Sequence, residues 1–326
     1  MENTDWEQSH PLQDSARYAA RMVDNQAELI ERIKHSLPED GVLEALEGLF
    51  LARASAPMGL IPGVIAPSLC LIAQGSKVFF LGDSQFRYDP DHYLITTLEM
   101  PLVSQILEAT PDKPYLSILI QLTPSLVGSV IENAGQKAYK GNPNIRAMDV
   151  SRMDVNLQDA VLRLVRLVEA PEKMPFLLPL IKQEIVYLLL MGQQGTRLRH
   201  LSVHGMYTPN IAKAVEQIRQ GFNQQLNIEE LANGLGVSVS GLYHQFKTVT
   251  AMSPLQFQKQ LRLQEARRLM LNEDFDAASA AYQVGYRDPA FFNREYKKLF
   301  GDPPIRHVQH LREDIQIRSA IKTPKK

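Results

Sequence analysis

Residues 228 to 254 and 277 to 304 state one pattern twice, so the chain must house two like units. In the first copy Ala232 and Gly236 lie four residues apart, followed by Ser238, Leu242, Phe246, Lys247 and Pro254. The second answers with Ala281 and Gly285, then Asp288, Phe292, Tyr296, Lys297 and Pro304. One residue is inserted after the glycine, and every later pair is offset by fifty. Each copy reads as a short helix, a tight turn and a second helix. Two crossing helices need a small residue where they meet and a residue that tolerates positive φ in the turn. Ala232 with Gly236 and Ala281 with Gly285 meet both needs. Ser238 and Asp288 are natural N-caps for the second helices.

The faces of those second helices differ. Leu242, Phe246 and Val249 in one copy, and Phe292, Tyr296 and Leu299 in the other, form apolar inward faces. Ser240, Tyr243, His244 and Lys247 remain outward in the first copy. Ala290, Asn293, Arg294, Lys297 and Lys298 remain outward in the second, with Arg287 just ahead of its helix. Arginine bonds bidentately to guanine, asparagine to adenine, and lysine holds phosphate as a point charge. The stretch Pro254 to Leu271 reads as a rigid connecting helix. Leu255, Leu261, Ala266, Leu269 and Met270 are its packing residues, and Lys259, Arg262, Arg267 and Arg268 face solvent or DNA backbone. Periodicity alone fits a helical adaptor equally well; the capped, basic and amide-bearing free faces favour duplex DNA.

Charge agrees in sign. The net charge is −1, yet residues 208 to 326 hold 17 Lys and Arg against 12 Asp and Glu. The C-terminal part is the one that would seek phosphates. With 326 residues, 44% hydrophobic and 22% charged, the chain is long enough for two domains and has no bias toward disorder. Met1 to Ser15 is acidic and polar, unlike a secretory signal, and Lys182 and Glu184 interrupt the apolar stretch Pro175 to Met191. A cytoplasmic protein with no membrane partner is expected. The single cysteine, Cys70, fits a reducing compartment.

Upstream, the periodicity shortens. Residues 17 to 36 read as an amphipathic helix, an appendage ending before Pro38. Runs at Leu69 to Ala73, Lys77 to Leu81, Tyr93 to Thr97 and Tyr115 to Leu122 are separated by Gly75, Gly82-Asp83, Asp89-Pro90-Asp91 and Pro111 to Pro114. Short strands at this spacing indicate a small sandwich or barrel. Leu157 to Ala170 is apolar on more than one stripe and should bury a second face against another element or another subunit, which makes it the dimer candidate, and Phe176 to Met191 is similar. Gly192 to Gly205 reads as a linker.

Residues 208 to 308 resemble the DNA-binding region of the AraC/XylS transcription regulators. The string from Ala280 through Val284-Gly285-Tyr286-Arg287-Asp288 to Phe300-Gly301, closed by Pro303-Pro304, carries the likeness. The stretch Pro67 to Lys77, with Met100-Pro101 and Pro114-Tyr115-Leu116, is similar to that family's cupin-like N-terminal module. The resemblance implies an α+β multidomain chain. A cupin-like barrel with flanking helices would precede an all-α domain of two helix-turn-helix units joined by a long helix. The corresponding division is a helical extension at 1–39, an effector or dimerisation domain at 40–192, a linker at 193–207, the DNA-binding domain at 208–308 and a tail at 309–326. Recognition helices near 238–249 and 288–300 would enter adjacent major grooves. Ser240, Tyr243 and His244 would read in the first and Asn293 and Arg294 in the second, with Lys247, Arg287, Lys297 and Lys298 beside them. Pro289 and Ala290 stand where other members often have polar base-reading residues. Promoter DNA, RNA polymerase, a small-molecule effector and a second copy of the chain are the implied partners, and an activator the implied role.

The barrel region offers one histidine, His92, so neither a metal nor another cofactor is expected. Cys70 in its apolar strand is a buried structural thiol or, as the functional alternative, an effector or redox sensor. His200 with His204, and His307 with His310, have metal-pair spacings without a third ligand and read as surface residues. Tyr18, Phe79, Phe80, Phe86, Tyr88 and Tyr93 are core or pocket aromatics. No nucleophile elbow, P-loop or dinucleotide fingerprint occurs, so a non-enzyme is expected. The alternative is a metal-free small-molecule-binding or enzymatic cupin with an accessory helical domain.

Overall fold

The computed structural model describes residues 11–82, 84–135, 145–201 and 209–321. Helix α1 (Pro11–Ser36) is followed by strands β1 (Gly41–Leu46), β2 (Leu49–Ala54), β3 (Met58–Ile65), β4 (Ser68–Gln74) and β5 (Ser76–Leu81). Next come β6 (Ser84–Tyr88), β7 (His92–Thr96), β8 (Met100–Glu108) and β9 (Tyr115–Gln121), then α2 (Pro124–Asn133), β10 (Met148–Arg152), α3 (Val155–Arg166), α4 (Met174–Met191) and α5 (Gly195–Arg199). One antiparallel sheet has the order β1-β2-β9-β4-β7-β10 and the other β3-β8-β5-β6. Their alternation sorts side chains to two sides. Leu116, Ile118 and Ile120 of β9 point to the helices, whereas Tyr115 and Leu119 point between the sheets. The four strands expected from sequence are β4, β5, β7 and β9; the other six are shorter in signal, β3 because Gly59, Pro62 and Gly63 interrupt its pattern.

The helical layer corrects two expectations. Helix α1 is built into the fold: Leu29 and Ile33 are buried, Glu28 accepts from Arg166, and Arg32 donates to Glu169 at 2.7 Å. The two guanidinium groups hold the Glu28 carboxyl at about 2, below the usual 4.5. Helix α3 buries Val161, Leu164 and Val165, along with Leu157 and Leu162, between α1 and α4 of the same chain. Its wide apolar surface is therefore covered internally. An exposed apolar stripe lies instead on α4, at Phe176, Leu180 and Tyr187. Among the described residues, Pro171–Met191 has the length and hydropathy of a membrane-crossing helix. Here its opposite face, Ile181, Ile185, Val186 and Leu189, closes the core, and Lys182 donates to Glu47 O at 2.6 Å.

The expected linker is also partly structured, because α5 buries Leu198 and is followed by the buried His200. His200 is thus no surface residue, and its partner His204 lies outside the described residues, as does Asp83. Beyond residue 208 the chain is helical: α6 (Pro209–Gln220), α7 (Ile228–Gly234), α8 (Val239–Thr250), α9 (Pro254–Asn272), α10 (Ala277–Gln283), α11 (Pro289–Phe300) and α12 (Pro304–Ile321). Residues from 309, expected as a tail, continue α12 and bond back: Arg312 donates to Met270 O at 2.6 Å.

One apolar cluster crosses from the barrel into the first helical unit. Phe79, Leu94, Met100 and Met148 of the barrel belong to the same buried core as Ile211, Leu242, Phe246 and Phe257. Polar contacts reinforce it. Ala147 N donates to Val249 O at 2.9 Å, and Arg219 pairs with Glu99 at 2.9 Å. Gly82, at φ +56°, lies so close to Ala251 that a Cβ there would strike the Ala251 carbonyl oxygen. The second unit has its own core, formed by Leu263, Ala266, Ala281, Phe292, Tyr296 and Phe300.

Candidate nucleic-acid interface

Helices α7 with α8, and α10 with α11, are the two repeats. Ala232 and Ala281 are fully buried where each pair crosses. Gly236 and Gly285 follow at φ +67° and +88°, the left-handed region that glycine enters without strain. Ser238 accepts from Gly241 N at 3.1 Å and Asp288 from Ala290 N at 2.8 Å, caps worth about 1 kcal/mol each. Leu242, Phe246, Val249, Phe292 and Tyr296 face inward and are buried, whereas Leu299 is only half-buried. Helix α9 opens on a full capping box, with Gln256 N donating to Ser253 Oγ and Ser253 N to Gln256 Oε1.

The outward set is accessible. Ser240, His244 and Lys247 are exposed on α8, and Tyr243 is half-buried against the shared core. On the second unit Arg287, Asn293, Arg294, Lys297 and Lys298 are all exposed. Among the described residues, no carboxylate forms an ion pair with Lys247, Arg287, Arg294, Lys297 or Lys298. Such unneutralised charge, three of the five cations lying on α11, is suited to phosphate oxygens.

The connector's charges behave differently from expectation. Lys259 pairs with Glu295 of α11 at 2.5 Å, and Arg268 with Glu265 at 2.7 Å and Glu273 at 2.8 Å. Arg262 donates to Phe222 O and Gln224 O at 2.6 Å and to Gly285 O at 3.2 Å, and the Arg267 guanidinium lies 5.4 Å from the Phe300 ring centre. Lys259, Arg262 and Arg267 thus tie α9 to its neighbours, whereas Arg268 stays exposed and pairs with carboxylates of its own helix and C-cap. His307 likewise departs from a surface role: it is half-buried, and its Nδ1 lies 3.0 Å from Tyr296 Oη.

Reading by sequence missed two features. Phe291, 47% exposed, stands between Ala290 and the core residue Phe292. Its signal was its counterpart fifty residues earlier, Gly241, which shows that the position is not a packing position in both copies. In the barrel, Lys77 shares the inward face of β5 with Phe79 and Leu81, and its ammonium lies 5.0 Å from the Phe79 ring centre and 5.9 Å from that of Tyr115. Cys70 is buried nearby, and burial pushes its thiol up to about 11, which keeps it protonated at neutral pH. Phe79 stacks on Tyr88 at 5.7 Å, so these aromatics, with the buried Tyr93, are core; Phe80 and Phe86 are half-buried and Tyr18 is exposed. His92 bonds Asp89 at 2.7 Å, and among the described residues no group of three metal-ligating side chains occurs.

Comparison with known proteins agrees with this architecture. Residues 45–197 match the model of the AraC-type transcriptional regulator N-terminus, and residues 231–309 match that of a helix-turn-helix domain. The chain is 28% identical over 99 residues to the transcriptional activator RhaS of Pectobacterium carotovorum, which covers 30% of this chain and 36% of that one. It thus spans about a third of that relative's length. To RhaS of Escherichia coli O1:K1 it is 24% identical over 221 residues, 67% of this chain and 73% of the other. In fold it is similar to ToxT from Vibrio cholerae bound to an unsaturated fatty acid, at a TM-score of 0.52 and 10% identity over 80% of this chain and 93% of that one. A β-rich N-terminal domain joined to a helical domain of paired helix-turn-helix units defines a class of regulator. The chain belongs to the AraC/XylS family of transcription regulators.

Proposed function

We propose that the protein is a sequence-specific DNA-binding transcription regulator, an activator like the relatives named above, and not an enzyme. The observation that carries this reading is the duplicated, capped helix pair with unpaired cations on its free face. Helices α8 and α11 enter neighbouring major grooves. Arg294 reads a base, and Lys247, Arg287, Lys297 and Lys298 hold phosphates. Arg294→Ala should cost about 1–3 kcal/mol of specific affinity and relax base preference in one half of the site, measured by titrating labelled duplexes. Unchanged base preference would contradict the role given to Arg294.

The finer assignments rest on the same frame. RNA polymerase is the partner that an activator must reach, and the cytoplasm is where both meet promoter DNA. A second copy of the chain pairs along the exposed stripe of α4. The effector enters the barrel and is an acidic, largely apolar molecule, because Lys77 presents a cation among Phe79, Tyr115 and Cys70 with no carboxylate partner among the described residues. ToxT, the structural neighbour, binds an unsaturated fatty acid. Decanoate should raise the melting temperature of the protein, decanol should not, and Lys77→Met should abolish the difference. Equal responses to acid and alcohol would remove Lys77 from effector binding. Cys70 is a structural thiol in this account.

A further inference from the structure

The leading turn of α11 presents Pro289, Ala290 and Phe291. Ala290 and Phe291 are exposed, and none of the three side chains carries a hydrogen-bond donor or acceptor. The Phe291 ring is held in place: the Arg294 guanidinium lies 5.7 Å from its centre, and the Tyr286 ring 6.1 Å away. Residues 291, 294 and 298 are neighbours along the helix, so the ring sits one turn ahead of Arg294 on the face that carries Lys298. A recognition helix places its N-terminal residues against base edges. Side chains without donors or acceptors can discriminate there only an apolar group, and the apolar group that B-DNA shows in its major groove is the thymine C5-methyl.

We infer that Phe291, with Ala290 beside it, is a specificity-determining contact that reads a thymine methyl next to the guanine read by Arg294. This rests on α11 being a recognition helix. The pairing is pre-organised, because the cation over the ring fixes both side chains before DNA arrives. It also confines the methyl contact to one half of the site. The corresponding residues of α8 are Ser240 and Gly241, a hydroxyl and no side chain. An exposed phenyl ring on the DNA-facing side thereby has a use that packing does not give it.

The test uses the full chain and a duplex selected by it from a random pool. Each thymine is replaced in turn by deoxyuridine, which removes the methyl and nothing else. At one or two thymines of the half-site bound by α11, wild-type affinity should fall about fourfold, as expected for one buried methyl. Phe291→Ala should bind the thymine and deoxyuridine duplexes equally, and Phe291→Leu should keep part of the difference. Wild-type protein that keeps its preference for the selected duplex but ignores deoxyuridine at every position overturns the methyl contact alone. So does a full deoxyuridine penalty persisting in Phe291→Ala. Equal binding of selected and scrambled duplexes would instead defeat the DNA reading beneath it. The deoxyuridine arm needs no substitution, so it stands even if a variant folds poorly.

Discussion

Gly236 and Gly285 hold equivalent places in the repeat, yet their surroundings differ. Both have positive φ, and at Gly236 a Cβ would meet open space. At Gly285 it would collide with the Asn223 carbonyl oxygen, in a corner where Arg262 also donates to the Gly285 carbonyl. Gly236→Ala should therefore cost about 1–2 kcal/mol, the strain of the left-handed region alone. Gly285→Ala should cost clearly more, because the backbone of the α6–α7 connection must move. Urea unfolding of the two variants measures both, and equal losses would contradict the close approach at Asn223. The repeat makes both glycines legible as turn residues. It does not show the asymmetry, which depends on residues some sixty positions upstream of Gly285.

Among the elements, α3 and α4 show what an apolar pattern can and cannot tell. The pattern of α3 reports correctly that more than one face is buried, and it is silent about what buries it. Helix α1 does, through Leu29 and Ile33, a long-range contact that no local periodicity carries. Helix α4 has the opposite history: an apolar run that looks buried throughout leaves Phe176 73% and Leu180 48% exposed. Among the described residues, that stripe remains largely uncovered. If the chain dimerises along this stripe, as proposed, Leu180→Arg should shift the sedimenting species from dimer to monomer and leave the secondary structure intact. A dimer that survives the substitution would move the subunit contact elsewhere. The connecting helix α9 was legible as a helix, but its cations were not legible as internal ties. Their partners, Glu295, Phe222, Gln224 and Gly285, come from other elements.

At the scale of the molecule, two local signals announced the architecture: short apolar runs set between turn residues in the strands, and a capped helical period in the repeat. Their junction had no such signal. The barrel meets α8 through Gly82 with Ala251 and through Ala147 with Val249, pairs more than a hundred residues apart in sequence. That junction joins the barrel core to α8, the second helix of the first repeat. The second unit stands on a separate core and carries the larger share of unpaired positive charge. The central claim is that both units read one DNA site, and it is tested most directly by footprinting the full chain on a selected duplex, base by base. The account predicts two protected major-groove segments about one helical turn apart on the same face of the duplex. Protection on opposite faces, or over one groove segment only, would contradict it.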